Sequence, residues 1–134
     1  MARLYEKFVA EWLCKNSPND WHVDPQQKVD IDENGKLSFN IDIVITDVKT
    51  GATKFVLDTK YKKPDYPSPD DIEKISTYAD LKNCEKAFLI YPVDLSESLN
   101  AHIGKKNIKN LTFSIDSNLE EAGIKFLNEL ISYQ

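Results

Sequence analysis

Histidine and cysteine are scarce in this 134-residue chain: two of each, His22, His102, Cys14 and Cys84, stand without metal-ligand spacing. A zinc site or a Ser-His hydrolase is therefore not expected, and the thiols read as two reduced, buried side chains. Also missing is any apolar run near the length of a membrane span, or an N-terminal apolar stretch resembling a secretory signal, which leads us to expect a cytoplasmic protein with no membrane partner. Positive charge is in deficit. With 17 Lys and Arg against 22 Asp and Glu, the net charge of −5 argues against a protein whose main work is gripping nucleic acid over a large surface. Local patches remain, with Lys49, Lys54, Lys60, Lys62 and Lys63 in one group and Lys105, Lys106 and Lys109 in another. Each can contact phosphates, although a Lys run is more often a solvated edge or loop. There is no internal repeat, low-complexity tract or linker, so residues 1–134 read as a single domain with one core.

What is present centres on residues 39–63. Two runs rich in β-branched and aromatic residues, Phe39 to Thr46 and Thr53 to Tyr61, flank Thr50-Gly51 and predict a hairpin. With Lys49-Thr50-Gly51 as the loop, Gly51 takes the left-handed position and Val48 pairs with Ala52. That register sets Asp42 opposite Asp58, and the period of two puts Asp42, Asp58 and Lys60 on one face. Two facing carboxylates about 5 Å apart repel by roughly 3 kcal/mol at an effective dielectric near 20. A shared proton, the Lys60 ammonium or a divalent cation bound to both would offset this. A solvated salt-bridge cluster is the plainer alternative, but Asp58 interrupts the apolar run Phe55-Val56-Leu57, where a charge is costly unless paired or ligated.

Before this stretch, Leu4, Tyr5, Phe8, Val9, Trp12 and Leu13 recur at helical spacing from Arg3 to Lys15. Glu6 lies at the margin of that stripe, where it can look toward a neighbouring strand or into solvent. Trp21 to Asp32 reads as a strand interrupted by Pro25, and Glu33-Asn34-Gly35 as a turn. The acidic string from Asp30 begins like a calcium loop, but its twelfth position is Ile41 rather than the required Glu, so that motif is rejected. Alternation through Leu37, Phe39, Ile41, Ile43 and Ile45 predicts one hydrophobic face, with Asp42 in a semi-polar cleft on the other. Further on, Ser68-Pro69-Asp70-Asp71 opens a helix with an apolar side of Ile72, Ile75 and Ala79. Ala87 to Tyr91 is a strand buried on both faces and reached by a crossover. Residues 94–110 are polar and carry no clear period; Leu111 to Ile115 is expected to be a strand, and Ser117 with Glu120 to box the start of a last helix. The order gives an α+β fold with a mixed central sheet and flanking helices.

These residues carry a resemblance. Asp42 in Ile-Asp-Ile-Val, then Leu-Asp58-Thr-Lys60-Tyr-Lys behind a helix bearing Glu6, is similar to the signature of the PD-(D/E)XK nuclease superfamily, whose α/β/α architecture is called restriction-endonuclease-like. More narrowly, Leu4-Tyr-Glu6-Lys-Phe-Val, the Asp-Ile-Val-Ile strand, Val-Leu-Asp-Thr-Lys-Tyr-Lys and Lys74-Ile-Ser-Thr-Tyr78-Ala resemble the catalytic domain of the McrC family, the nuclease subunits of modified-cytosine restriction systems. The likeness runs from about residue 3 to 92. Asn40-Ile41 stands where relatives usually have Arg-Pro, and Lys74 where they often have Gln.

The resemblance implies a Mg²⁺-dependent endodeoxyribonuclease, with Mn²⁺ as a substitute. Asp42, Asp58 and the carbonyl of Thr59 would be the metal ligands, Lys60 would activate water or stabilise developing charge, and Glu6 would support the metal through water. Lys62, Lys63, Lys74 and Tyr78 become candidate nucleic-acid contacts. The implied partners are DNA and a GTP-driven motor subunit. Since restriction-type enzymes often pair domains to cut both strands, a homodimer joins them. The region through which such subunits engage the motor has no counterpart in these residues, so an isolated catalytic domain or a stand-alone relative is expected. The alternative function is a degenerate nuclease fold that binds nucleic acid or protein without catalysis.

Overall fold

The computed structural model describes residues 2–62, 66–116 and 118–134. Along the chain run α1 (Ala2–Asn16), β1 (Trp21–Asp30), β2 (Ser38–Asp47), β3 (Thr53–Thr59), α2 (Pro69–Leu81), β4 (Lys86–Tyr91), β5 (Asn100–Ile103), β6 (Lys106–Thr112) and α3 (Leu119–Ser132). The strands form one mixed open sheet in the order β1-β2-β3-β4-β6-β5. β1, β2 and β3 are an antiparallel meander, β3, β4 and β6 are parallel, and β5 is antiparallel to β6.

Helices cover both faces. Tyr5, Val9 and Leu13 of α1 and Phe126 and Leu130 of α3 pack with Ile43, Ile45, Phe55, Leu57, Phe88 and Ile90. Ile75, Tyr78 and Ala79 of α2 pack with Val44, Val56, Ala87, Leu89, Tyr91 and Ile108 on the opposite side. Adjacent residues of β3 and β4 thus alternate between two buried layers, which is why those strands read as continuous apolar runs. The helix–sheet–helix layering agrees with the expected α/β/α, mixed-sheet class.

Several local expectations are corrected. The stripe from Leu37 to Ile45 does not share one face: Ile43 and Ile45 meet α1 and α3, whereas Ile41 joins the α2 layer and the Phe39 ring lies 5.8 Å from that of Tyr78. The alternation breaks at Asp42. Across from it on β1 stands Gln26 with φ 56°, between the pairs Pro25↔Ile43 and Gln27↔Ile41, a left-handed residue that twists the ladder. Pro25 does not interrupt β1, which runs from Trp21 to Asp30 along the edge of the sheet, where a missing donor is tolerated. The β2–β3 loop is one residue longer than expected, closed by Asp47 and Ala52 (N···O 2.8 Å), with Gly51 left-handed at φ 75°. A bulge follows, since Ile45 pairs with Phe55 but Thr46 with Thr53. It absorbs the extra residue, and Ile43↔Leu57 keeps the register that sets Asp42 level with Asp58.

The polar region contains a whole strand, β5, and β6 begins at Lys106, five residues before the expected start. Ser117 lies outside the described residues; Asn118 caps α3, its side chain accepting from the N–H groups of Glu120 and Glu121. Ser68 caps α2 as expected, with Pro69 at its start. Both cysteines are free, but only Cys84 is buried; Cys14 is exposed at the end of α1. Among the described residues no helix is long and apolar enough to cross a membrane.

Candidate active site

The site lies where the antiparallel half of the sheet meets the parallel half, at the C-terminal end of β3. Asp58 ends the apolar run of β3 and is 1 % exposed. Lys60, two residues on, folds its ammonium back to 3.0 Å from Asp58 Oδ2. This is an ionic contact rather than an aligned hydrogen bond, and Asp58 Oδ2 has no other donor. Asp42 reaches across from β2, its Oδ2 accepting from the Thr59 N–H (2.9 Å) and the Thr59 hydroxyl (3.0 Å). The backbone behind is fixed by the Lys60 N–H donating to the Ile90 carbonyl (2.8 Å). Asp42, Asp58, Thr59 and Lys60 are therefore brought together as the sequence predicts.

Burial, then the charge of the neighbouring Asp42, push the Asp58 carboxyl up to about 6 despite the attraction of Lys60. Burial alone would lower Lys60, but Asp58 and Asp71 together hold its ammonium above the usual range. The Tyr78 hydroxyl is raised by burial and by the charges of Asp58 and Asp42.

Glu6 borders the same site. With Arg3, Lys7, Pro25, Gln26 and Asp42 it lines a cleft of about 730 Å³ between α1 and the β1–β2 pair. Its Oε1 is buried without a hydrogen-bond partner. Among the described residues no three His, Cys, Asp or Glu side chains stand close enough to ligate one ion together. Glu6 is thus a wall of the cleft and not a direct companion of the two aspartates. The donor set still fits a hard cation: two carboxylates side by side, one buried oxygen without an aligned donor, and a second such oxygen on Glu6.

Of the expected nucleic-acid contacts, Lys62 is tied to Asp71 (3.0 Å), Lys74 is exposed with its ammonium 5.7 Å from the centre of the Tyr78 ring, and Tyr78 is 4 % exposed. Lys63 lies outside the described residues. Lys54, Lys105 and Lys106 line a different hollow of about 750 Å³, at the other end of β3, whose carboxylates, Asp80 and Glu85, are not those of the β3 cluster.

Two neighbours escaped the sequence reading. Asp71, legible only as a charge suited to the start of α2, has its Oδ1 3.5 Å from the Lys60 ammonium. Burial alone would raise its carboxyl, but Lys62 and Lys60 together hold it below the usual range. Tyr91 at the end of β4 has a buried hydroxyl without a partner, raised by burial and by the charges of Asp71 and Asp58. No spacing in the sequence signals either one, because both meet the site through the crossover from β3 to β4.

The fold and the match to known proteins agree. A chain in a solved assembly described as Thermococcus gammatolerans McrB AAA+ hexamers with bound McrC superposes with a TM-score of 0.75 over 97 % of this chain, at 19 % identity. This chain spans about a third (33 %) of the length of that one. No curated protein matches. The family described as McrBC 5-methylcytosine restriction system component matches residues 1–92, the segment holding Glu6, Asp42, Asp58, Lys60 and Asp71. On that match, this chain belongs to the McrBC 5-methylcytosine restriction system component family.

Proposed function

We propose that the chain is a divalent-cation-dependent endonuclease that hydrolyses DNA phosphodiester bonds, as the cleavage module of a modified-cytosine restriction system. The observation that carries this reading is the convergence of Asp42, Asp58 and Lys60 at the end of β3, with Asp58 Oδ2 buried and lacking an aligned donor. A buried carboxylate crowded by a second one is costly to ionise, and a bound cation removes that cost. Hard carboxylate oxygens without imidazole or thiolate favour Mg²⁺ or Mn²⁺ over Zn²⁺.

In this reading Asp42, Asp58 and the Thr59 carbonyl hold the cation. When bound, it supplies the Lewis acidity that orients the scissile phosphate and generates a nucleophilic water. Thr59 keeps Asp42 in place through its N–H and hydroxyl. Lys60 donates to the charge that develops on the phosphate oxygens or assists the attacking water, and Glu6 accepts from water in the cleft. Arg3 and Lys7 beside Glu6, together with Lys62 and the exposed Lys74, supply contacts to the DNA backbone. An AAA+ motor of the kind named in the matched assembly is the expected partner, and a second copy of the chain would place a site on each strand.

The test is nicking of supercoiled plasmid in Mg²⁺ or Mn²⁺ by the wild type and Asp58→Ala, with cation titration calorimetry on the same samples. Loss of about 10³-fold in nicking, in a variant that still melts cooperatively, is expected from several kcal/mol of lost transition-state stabilisation. Full activity in Asp58→Ala overturns the reading. Cation binding without nicking assigns the chain to a catalytic unit awaiting its complex, and no cation binding assigns it to a binding module of nuclease fold.

A further inference from the structure

We infer that Asp71 is a positioning residue for Lys60, keeping its ammonium in the site once the charge of Asp58 is taken up by a bound cation. The purpose of this device rests on the nuclease reading above; its test does not.

Lys60 has two carboxylate neighbours on different elements, Asp58 of β3 at 3.0 Å and Asp71 of α2 at 3.5 Å. The lysine side chain is 15 % exposed and that of Asp71 13 %, so the pair is partly shielded from water and each charge is felt more strongly than on an open surface. The nearer partner is also the proposed cation ligand. A cation on Asp58 cancels the attraction that folds Lys60 inward and adds a like charge a few ångströms away. A flexible four-carbon stem with only that partner would swing outward.

Asp71 is placed to prevent this. It sits in the first turn of α2, its N–H donating to the capping Ser68 Oγ (3.2 Å), so its backbone is anchored away from the cation position. Its Oδ2 is engaged by Lys62 (3.0 Å), leaving Oδ1 for Lys60. A carboxylate serving only the helix dipole would need neither lysine. Two lysines of the β3 extension converge on this one acid, and through it the crossover helix is tied to the strand that carries the chemistry.

Asp58→Asn reproduces the loss of charge that a cation would cause without needing a cation. Brief acetylation of the full chain, read by peptide mass spectrometry at Lys60 against the exposed Lys36, then reports how the ammonium is held. Lys60 should label slowly in the wild type and in Asp58→Asn, and on the order of tenfold faster in Asp58→Asn/Asp71→Asn, where both partners are gone. Equally fast labelling in the single and double variants overturns the proposal, as does slow labelling in the double variant. Should the double variant not fold, the Lys60 ammonium resonance of Asp58→Asn decides. A slowly exchanging signal correlated with Asp71 supports the role, and its absence overturns it. In the nicking assay Asp71→Asn should lower kcat and leave the plasmid KM unchanged. A wild type that neither binds cation nor nicks overturns the nuclease reading, while the labelling result still decides the place of Asp71.

Discussion

At the scale of single residues the molecule is governed by one unfavourable side chain. Asp58 is almost fully buried and sits beside Asp42, and its carboxyl is raised from 3.8 to about 6. For an acid raised in the fold, the folded state binds more protons than the unfolded chain between those two values. Stability is therefore lost as pH climbs from 3.8 to about 6 and stays lower above it, by up to roughly 3 kcal/mol for a shift of this size. Asn keeps the shape and removes the charge. Urea denaturation in a chelator should find Asp58→Asn close to the wild type near the lower end of that window and more stable by roughly 2–3 kcal/mol at neutral pH; a difference that does not change with pH would refute this. The partnership of Asp42, Asp58 and Lys60 was legible in the sequence because a period of two and a hairpin turn suffice to align them. Asp71 and Tyr91 were not, since which helix turn and strand end meet Lys60 depends on how the crossover packs.

At the scale of elements, α1 and α3 pack over the same face of the sheet, and the Trp12 indole of α1 lies against Gly123 of α3. A Cβ built there would stand 2.3 Å from the Trp12 indole, which is itself fixed edge-on against Phe113 with ring centres 5.4 Å apart. In an exposed helix, replacing Gly by Ala gains about 1 kcal/mol. Here the added methyl must displace a packed ring, at about 1–3 kcal/mol. Gly123→Ala should therefore be destabilised or neutral in urea denaturation, with the helix gain recovered when Trp12 is also made smaller. Clear stabilisation by the single change would contradict this packing. The strong elements were legible from their periods: α1, the hairpin strands, the capped start of α2 and the buried β4. β5 and the start of β6 were hidden because Asn100–Ile103 is a short, largely exposed edge strand, and β6 shows apolar side chains to the core only at Ile108 and Leu111. The break at Asp42 was hidden as well, because it depends on the backbone of Gln26 in the neighbouring strand.

At the scale of the whole molecule, the family match and the fold have different extents. The match ends at residue 92, yet β4 needs β6 as its neighbour, and the layer under α1 includes Leu111, Phe113, Phe126 and Leu130. A chain cut after Pro92 should therefore lack a cooperative thermal transition, although it retains every candidate ligand; a sharp two-state melt of that fragment would show that the last strands and helix are dispensable. Asp42, Asp58, Lys60 and Asp71 come from one short stretch joined by a hairpin and a single crossover. Glu6 arrives on a helix whose Tyr5 hydroxyl bonds the carbonyl of Phe113, 108 positions away (2.9 Å). Short loops close before long ones. A chain emerging from the ribosome can thus gather these carboxylates early, but the second wall of the cleft docks only after Phe113 has been made, so the order of synthesis divides the assembly of this one cleft into an early and a late half.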